Sequence, residues 1–189
     1  AKIAMEVCNF QDQAKVQAIL APYAFDYLIG SVHFVNGWGF DAAAVKEEFE
    51  RHPLEEIYDG YAAEVEKLCV SGLYDVLGHP FNLRVYKYLP DFDVTPYLER
   101  VAQAVKKADM AIDINTGTLY RYPIAEISPY PAFMEIAAEY ELPIITSSDA
   151  HEPEDCGAYI DEAVAYAKKY GYTKQLYFSG RDRKFVDLG

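Results

Sequence analysis

Residues 143–151 read Pro143-Ile144-Ile145-Thr146-Ser147-Ser148-Asp149-Ala150-His151. The apolar half predicts a buried strand, and the polar half predicts the exit of that strand into a loop. Because side chains alternate along an extended chain, we expect Asp149 and His151 on the same side, about 7 Å apart. A carboxylate and an imidazole placed in this way can bind one metal ion or two adjacent ones. The alternative is a helix cap or a solvated turn ahead of Pro153.

The same change from apolar to polar recurs in other segments. Four further apolar segments carry a polar residue: Glu6 in residues 3–7, His33 in 25–34, His79 in 74–80 and Asn115 in 110–117. For Glu6 an edge strand with one face in water is an equally simple explanation. The repetition predicts several strands whose ends carry candidate ligands.

Segments with helical spacing of apolar residues separate these strands. They are residues 11–20, 54–69, 94–107, 132–140 and 155–170. A last short strand over residues 176–178 precedes a charged tail. The alternation, with strands that are apolar on both sides, predicts an α/β fold with a parallel sheet covered by helices. In such folds the functional residues gather at the carboxyl ends of the strands.

Length and charge restrict the class of protein. The chain has 189 residues, about half of them apolar, which predicts one domain over residues 1–189. The net charge is -13 without a Lys/Arg run, so we expect binding neither to nucleic acid nor to a membrane. The three cysteines form no disulfide pattern, which favours a cytoplasmic location. No apolar run reaches the ~20 residues of a membrane span.

Two histidines with nearby carboxylates and further Asp/His ligands suit Zn²⁺, Mn²⁺ or Fe²⁺ better than Ca²⁺ or Mg²⁺. Ions of this kind activate water and neutralise phosphate oxygens, so the residues predict metal-assisted hydrolysis of a small-molecule phosphate ester. The alternative is that these are ordinary core or loop histidines with satisfied hydrogen bonds.

Several ordered motifs carry a family resemblance. They are Gly30-Ser31-Val32-His33-Phe34, Gly37-Trp38-Gly39-Phe40-Asp41, Leu77-Gly78-His79-Pro80, Asn115-Thr116 with Arg121, and Ser147-Ser148-Asp149-Ala150-His151. Together they resemble the polymerase-and-histidinol-phosphatase (PHP) family, and within it the histidinol-phosphatase branch. The resemblance implies a distorted seven-stranded (βα) TIM-like barrel with up to three divalent metal ions at the carboxyl ends of its strands.

The resemblance also implies roles for single residues. The implied metal ligands are Glu6, as a bridging carboxylate, with His33, His79, Asp149 and His151. Asp149 or His151 would also assist proton transfer as a catalytic residue. Arg121 would hold the substrate phosphate, with Asn115 beside it as a second substrate-binding residue. Alternatively, Arg121 stacks between Tyr120 and Tyr122 at the surface.

The implied activity is hydrolysis of histidinol phosphate to histidinol and phosphate, within histidine biosynthesis. One departure concerns the His-x-His motif of the family's first strand, which this sequence lacks. Because the chain starts at Ala1 and enters a strand at once, we expect an incomplete barrel, of which residues 1–189 are the C-terminal two-thirds to three-quarters. Two alternatives remain: another PHP phosphoesterase or exonuclease, and an inactive metal-binding or interaction fragment completed by another chain, for example as a homo-oligomer.

Overall fold

A computed structural model of the chain describes residues 2–9 and 12–189. Its strands, in chain order, are β1 (Ala4–Cys8), β2 (Tyr27–Ser31), β3 (Phe34–Val35), β4 (Trp38–Gly39), β5 (Val76–Leu77), β6 (Ala111–Asn115), β7 (Ile144–Ser147), β8 (Lys174–Ser179) and β9 (Asp182–Asp187). Its α-helices are α1 (Gln13–Leu20), α2 (Leu54–Val70), α3 (Thr95–Lys107), α4 (Gly117–Arg121), α5 (Pro131–Glu139) and α6 (Ile160–Lys169). Short 3-10 helices cover Ala43–Arg51, Asn82–Arg84 and Pro153–Asp155.

The central sheet has five strands within the described residues, in the order β1-β2-β5-β6-β7, and every pair is parallel. The predicted α/β architecture with a parallel sheet is therefore confirmed. Consecutive sheet strands are joined by helical connections, as parallel pairing requires. The helix predicted over residues 11–20 begins at Gln13, and Gln11 lies outside the described residues.

Alternation along the strands gives the sheet two different faces. Leu28, Ile112 and Ile144 point to the helices and belong to the main core. Their neighbours in sequence point to the opposite, inner face, where Val76, Ala111 and Ile145 form a second apolar cluster. The carboxyl-end half of this inner face carries polar residues, and the candidate site lies there.

The charged tail predicted after residues 176–178 is in fact a strand. β9 pairs antiparallel with β8, and the hairpin covers the inner apolar cluster with Leu176 and Phe178. Arg181 Nε lies 2.8 Å from Asp75 Oδ2, and Arg183 Nη1 lies 2.6 Å from Asp109 Oδ2. These aspartates precede β5 and β6, so the hairpin crosses the amino ends of the sheet strands. Its charged side chains are ion-pair partners, which the polar sequence alone did not reveal.

The last long helix also differs from its prediction over residues 155–170. α6 begins at Ile160, because Gly157 (φ 79°) and Tyr159 (φ 58°) adopt left-handed backbone conformations that interrupt a helix. Among the described residues no helix is both long enough and apolar enough to span a membrane.

Candidate active site

Polar side chains form a layer on the inner face above the apolar cluster. On β6, Asp113 follows Ala111 by two residues and shares its face, and on β2, Ser31 follows Ile29 in the same way. Glu6 lies on β1 opposite Ile29 in the strand register. Parallel strands deliver these groups to one end of the sheet, where the chain leaves each strand.

Glu6, His33 and His79 converge above this layer, and we call these three residues the histidine cluster. His33 and His79 each follow the end of a strand by two residues. His79 Nε2 lies 3.0 Å from Glu6 Oε1 and 3.1 Å from His33 Nε2. His33 Nε2 lies 3.4 Å from the same Glu6 oxygen. The three ligand atoms are all within 4.8 Å of one another, as binding of a common ion requires.

Close packing of the backbone makes this convergence possible. A Cβ atom on Gly78 would lie 2.2 Å from Ser31 Oγ and 2.9 Å from Ile29 Cγ2. Glycine at this position therefore lets β5 approach β2 and brings His79 over Glu6. His79 itself has φ 28°, a strained conformation of the kind that clusters at functional sites.

The electrostatics of the histidine cluster favour a charged carboxylate. Burial raises the pKa of Glu6, but the hydrogen bond and charge of His79 outweigh burial and lower that pKa to about 2. Burial lowers the pKa of His79, yet the hydrogen bond and charge of Glu6 reverse the effect and raise it. Burial and the charge of His79 lower the pKa of His33. The two imidazoles thus compete for one proton beside an ionised carboxylate.

Asp113 is a site residue that the sequence reasoning missed. It is 3% exposed, and its Oδ2 accepts hydrogen bonds from the backbone N of His79 (3.4 Å) and from Asn115 Nδ2 (3.0 Å). Burial raises the pKa of this carboxyl group. A charged residue inside an otherwise apolar strand was the available signal. Asp113 holds the strained backbone of His79 and adds negative potential below the histidine cluster.

A second set of residues, Arg121, Asp149 and His151, lies at the same end of the sheet, and we call it the arginine group. Arg121 Nη1 donates to Asp149 Oδ2 at 2.8 Å and to the Asp149 carbonyl at 3.0 Å. Arg121 Nη2 lies 3.2 Å from His151 Nε2. Arg121 is the last residue of α4, and Gly117 is the first. A Cβ atom on Gly117 would lie 3.0 Å from the Cβ of Asp149, so glycine at this position leaves room for Asp149.

The extended geometry expected for residues 149–151 is wrong. β7 ends at Ser147, and Asp149 has φ 49°, so the chain turns before His151. Because of this turn, His151 Nδ1 lies 2.9 Å from the Asp149 carbonyl oxygen and 3.8 Å from Asp149 Oδ1. The His151 side chain is 60% exposed, open to a ligand.

The structure brings the two sets of residues near each other without merging them. The triad of ligand atoms within 4.8 Å comes from Glu6, His33 and His79, whereas Asp149 and His151 remain with Arg121. The negative charge of Asp149 nevertheless favours the protonated forms of His33 and His79. The predicted ligands therefore lie at one end of the sheet in two groups, three converged on one another and two held by an arginine.

Asn115 is placed differently from its predicted substrate-binding role. It is 1% exposed; its Nδ2 donates to Asp113, and its Oδ1 accepts from the Gly117 backbone N at 2.9 Å. Both ends of the amide are therefore engaged inside the protein. These contacts support a role in shaping the turn from β6 into α4.

The histidine cluster has the donor set of a divalent metal site. Two imidazole nitrogens and a carboxylate oxygen suit Zn²⁺, Mn²⁺ or Fe²⁺. The buried Nδ1 of His79 has no hydrogen-bond partner among the described residues, so the ring is held chiefly through Nε2. A cation between the three atoms would satisfy all of them at once, and the residues present fit such an ion.

This fold and site define a class of protein. A family profile described as "PHP domain" matches residues 1–117, which is more than half of the chain. The chain belongs to the PHP domain family.

Two curated proteins are similar to the chain in sequence. The chain is 36% identical over 157 residues to a protein of Deinococcus radiodurans named "Probable histidinol-phosphatase", covering 82% of this chain and 59% of that protein. A protein of the same name from Clostridium acetobutylicum is 23% identical over 172 residues, covering 87% of this chain and 65% of the relative. The chain thus spans about three fifths of the length of these curated relatives.

A solved structure shares the fold. It is the histidinol phosphate phosphatase of Lactococcus lactis complexed with zinc, L-histidinol and phosphate, with a TM-score of 0.74 and 19% identity. The similarity covers 97% of this chain and 71% of that one. The parallel sheet described above is therefore the sheet of a PHP-type, TIM-like barrel.

Proposed function

We propose that the protein to which this chain belongs is a metal-dependent phosphomonoester hydrolase that converts histidinol phosphate to histidinol and phosphate, a step of histidine biosynthesis. One observation carries the proposal: the histidine cluster and the arginine group border the same end of the sheet. Metal ligands beside a guanidinium suit a phosphate ester. The names of the curated relatives support this substrate.

The histidine cluster would hold the metal. Glu6 supplies an ionised oxygen, and His33 and His79 supply neutral ring nitrogens once a cation replaces the shared proton. Bound divalent ions would polarise the phosphate oxygens and activate a water molecule. Asp149 and His151 would complete the ligand set after Arg121 turns to the substrate.

Arg121 would bind the phosphate. In the structure its guanidinium is engaged by Asp149 Oδ2, so the group is already held at the cleft in an ordered position. A phosphate offers the same paired oxygens as a carboxylate and accepts the same two-pronged contact. Binding of substrate would thus replace one anionic partner of Arg121 with another.

Proton transfer to the departing alcohol falls to Asp149 or His151. His151 is the more accessible of the two, and its Nε2 faces the Arg121 guanidinium, beside the position proposed for the phosphate. Whichever of the two residues does not ligate a metal ion would pass a proton to the leaving oxygen as the ester bond breaks.

Two alternative functions each make a prediction that can be tested. An exonuclease of the same family would need a basic groove, which a net charge of -13 disfavours. An inactive interaction fragment would associate with another chain through the edge of β1, which pairs only with β2 within the described residues. Concentration-dependent association in sedimentation experiments would support that alternative.

The test replaces His79 or Asp149 by alanine and measures phosphate release from histidinol phosphate. We expect hydrolysis to be abolished in both variants, whereas His52→Ala keeps the rate. His52 is a suitable control because its side chain is 36% exposed and stacks on Trp38. Retention of most of the rate in H79A, or faster hydrolysis of short DNA than of histidinol phosphate, would refute the proposal.

A further inference from the structure

Asp41 is held at the border of the histidine cluster by a rigid hairpin. β3 and β4 form this hairpin, and the Phe40 backbone N donates to the His33 carbonyl at 3.1 Å, which places Asp41 beside His33. Val35 and Phe40 are fully buried. Val35 lies against Gly60 of α2, where a Cβ would approach it to 2.7 Å, and Phe40 packs on Tyr61. The position of Asp41 is therefore set by the core.

The carboxylate of Asp41 has unused acceptor capacity. Its side chain is 20% exposed, and its Oδ2 lies 3.8 Å from His33 Nε2, too far for a hydrogen bond. Within the described part of the chain no group donates a hydrogen bond to this carboxylate; only its backbone carbonyl accepts one, from the Tyr86 hydroxyl at 2.8 Å. The carboxylate is thus accessible to a ligand, and its oxygens are available to accept hydrogen bonds from a cationic group.

Two tyrosines lie near Asp41, and one of them, Tyr86, contacts the Asp41 backbone carbonyl through its hydroxyl. The rings of Tyr86 and Tyr122 meet edge to face, with centroids 5.9 Å apart. Burial raises the pKa of both tyrosines, and the negative charge of Asp41 raises each one further. Asp41 thus acts electrostatically on both phenols. A carboxylate with aromatic rings nearby has the chemistry that recognises an organic cation.

The position of Asp41 favours such a cation over a metal ion. Asp41 is not among the residues whose ligand atoms all lie within 4.8 Å of one another. Arg121, the neighbour of Tyr122 in the sequence, has its guanidinium carbon 5.4 Å from the centre of the Tyr122 ring. These residues therefore offer a guanidinium for a phosphate and a carboxylate for a positively charged group.

We propose that Asp41, together with Tyr86 and Tyr122, forms a subsite for the primary ammonium group of an amino-alcohol phosphate. The inference rests on the proposed function, which places the phosphate group of the substrate at Arg121. It adds Asp41 as the residue that selects the ammonium group of the same substrate. It predicts that the site prefers amino alcohols to the same alcohols without nitrogen at that carbon. Removal of the Asp41 charge abolishes the preference and leaves the metal in place.

The test measures binding of two alcohols to the zinc-loaded chain by calorimetry in the presence of inorganic phosphate. The probes are L-histidinol and imidazolylpropanol, which lacks the amino group. We expect the wild type to bind histidinol at least about tenfold more tightly, as one hydrogen bond to a charged group provides. In Asp41→Asn the two affinities become equal. Asp187→Asn, which removes a charge from an 86% exposed side chain on β9, keeps the preference.

Two results would overturn this subsite: equal affinities in the wild type, or an unchanged preference in D41N. Loss of zinc from D41N, with equal loss of both alcohols, would instead identify Asp41 as a metal ligand and also contradict the inference. Hydrolysis of histidinol phosphate by the wild type is measured separately. Its absence, with the amine preference intact, would contradict the proposed function and leave the ammonium subsite standing.

Discussion

The Nε2 atoms of His33 and His79 lie 3.1 Å apart, although 46 positions separate the two residues in the sequence. Both imidazoles cannot carry a proton at this distance without strong repulsion, and Glu6 lies within 3.4 Å of each. A metal ion replaces the proton and satisfies all three groups. The contact thus links the geometry of β2 and β5 directly to metal binding.

Metal affinity is expected to fall in acid. The metal binds only the neutral imidazole, and although burial lowers the pKa of His79, Glu6 raises it above its ordinary 6.5. Protons therefore begin to compete above pH 6.5, and below the raised pKa the apparent zinc affinity should drop about tenfold per pH unit. Zinc titrations at a series of pH values test this expectation. His52→Ala serves as the control and should show the same pH dependence of zinc affinity as the wild type. An affinity that stays constant between about pH 5 and about pH 8 would speak against these ligands.

Arg121→Lys should weaken phosphate binding while preserving the charge. Lysine is a point charge and cannot make the two-pronged contact of a guanidinium, so we expect KM for histidinol phosphate to rise about tenfold. The matched control is Arg51→Lys, since Arg51 is 69% exposed and, in the described part of the chain, forms its ion pair with Glu48 of its own 3-10 helix. Steady-state kinetics measure KM for both variants. An unchanged KM in R121K would show that the phosphate binds elsewhere.

Gly78→Ala should damage both stability and metal binding. The added Cβ would collide with Ser31 Oγ and lie 2.9 Å from Ile29 Cγ2, so Ser31 and Ile29 or β5 must shift, and a shift of β5 moves His79. We expect a loss of about 1–3 kcal/mol in unfolding free energy, the usual cost of overpacking, with weaker zinc binding.

Gly39→Ala provides the comparison, because its Cβ would come no closer than 3.4 Å to any neighbouring atom, Phe34 Cε1, which is ordinary van der Waals contact. It should remain within about 0.5 kcal/mol of the wild type. Denaturant unfolding of the metal-free proteins measures both variants. Equal stability of G78A and the wild type would show that the close approach of β5 to β2 is not required.

The sheet could be predicted because its signal is local. Apolar segments ending in polar residues gave β2, β5, β6 and β7 within a few residues, since strands buried on both faces need continuous apolar side chains. β9 was missed because its sequence is largely charged: Arg183 within it, and Arg181 in the turn before it, form ion pairs with aspartates at the amino ends of other strands. Such long-range pairing has no local pattern.

The candidate site was predictable in part for the same reason. Histidines directly after apolar strands indicated His33 and His79, and the parallel topology explains why they meet. The pairing of Arg121 with Asp149 depends on the left-handed turn at Asp149, which an extended reading of residues 149–151 excluded. The contacts of Asp41 with Tyr86 and of Asp113 with His79 join residues far apart in the sequence, so their surroundings became visible only in the structure.

The central claim is that Glu6, His33 and His79 hold a divalent metal ion. Zinc binding, measured by competition with a chromophoric chelator, tests this most directly on the wild type, Glu6→Gln, His79→Ala and the control His52→Ala, with circular dichroism to verify folding. We predict at least one zinc ion per wild-type and H52A chain, with a Kd below about 1 µM, and weakening of about a hundredfold or more in E6Q and H79A. Zinc binding of equal stoichiometry and affinity in all four proteins would contradict the account.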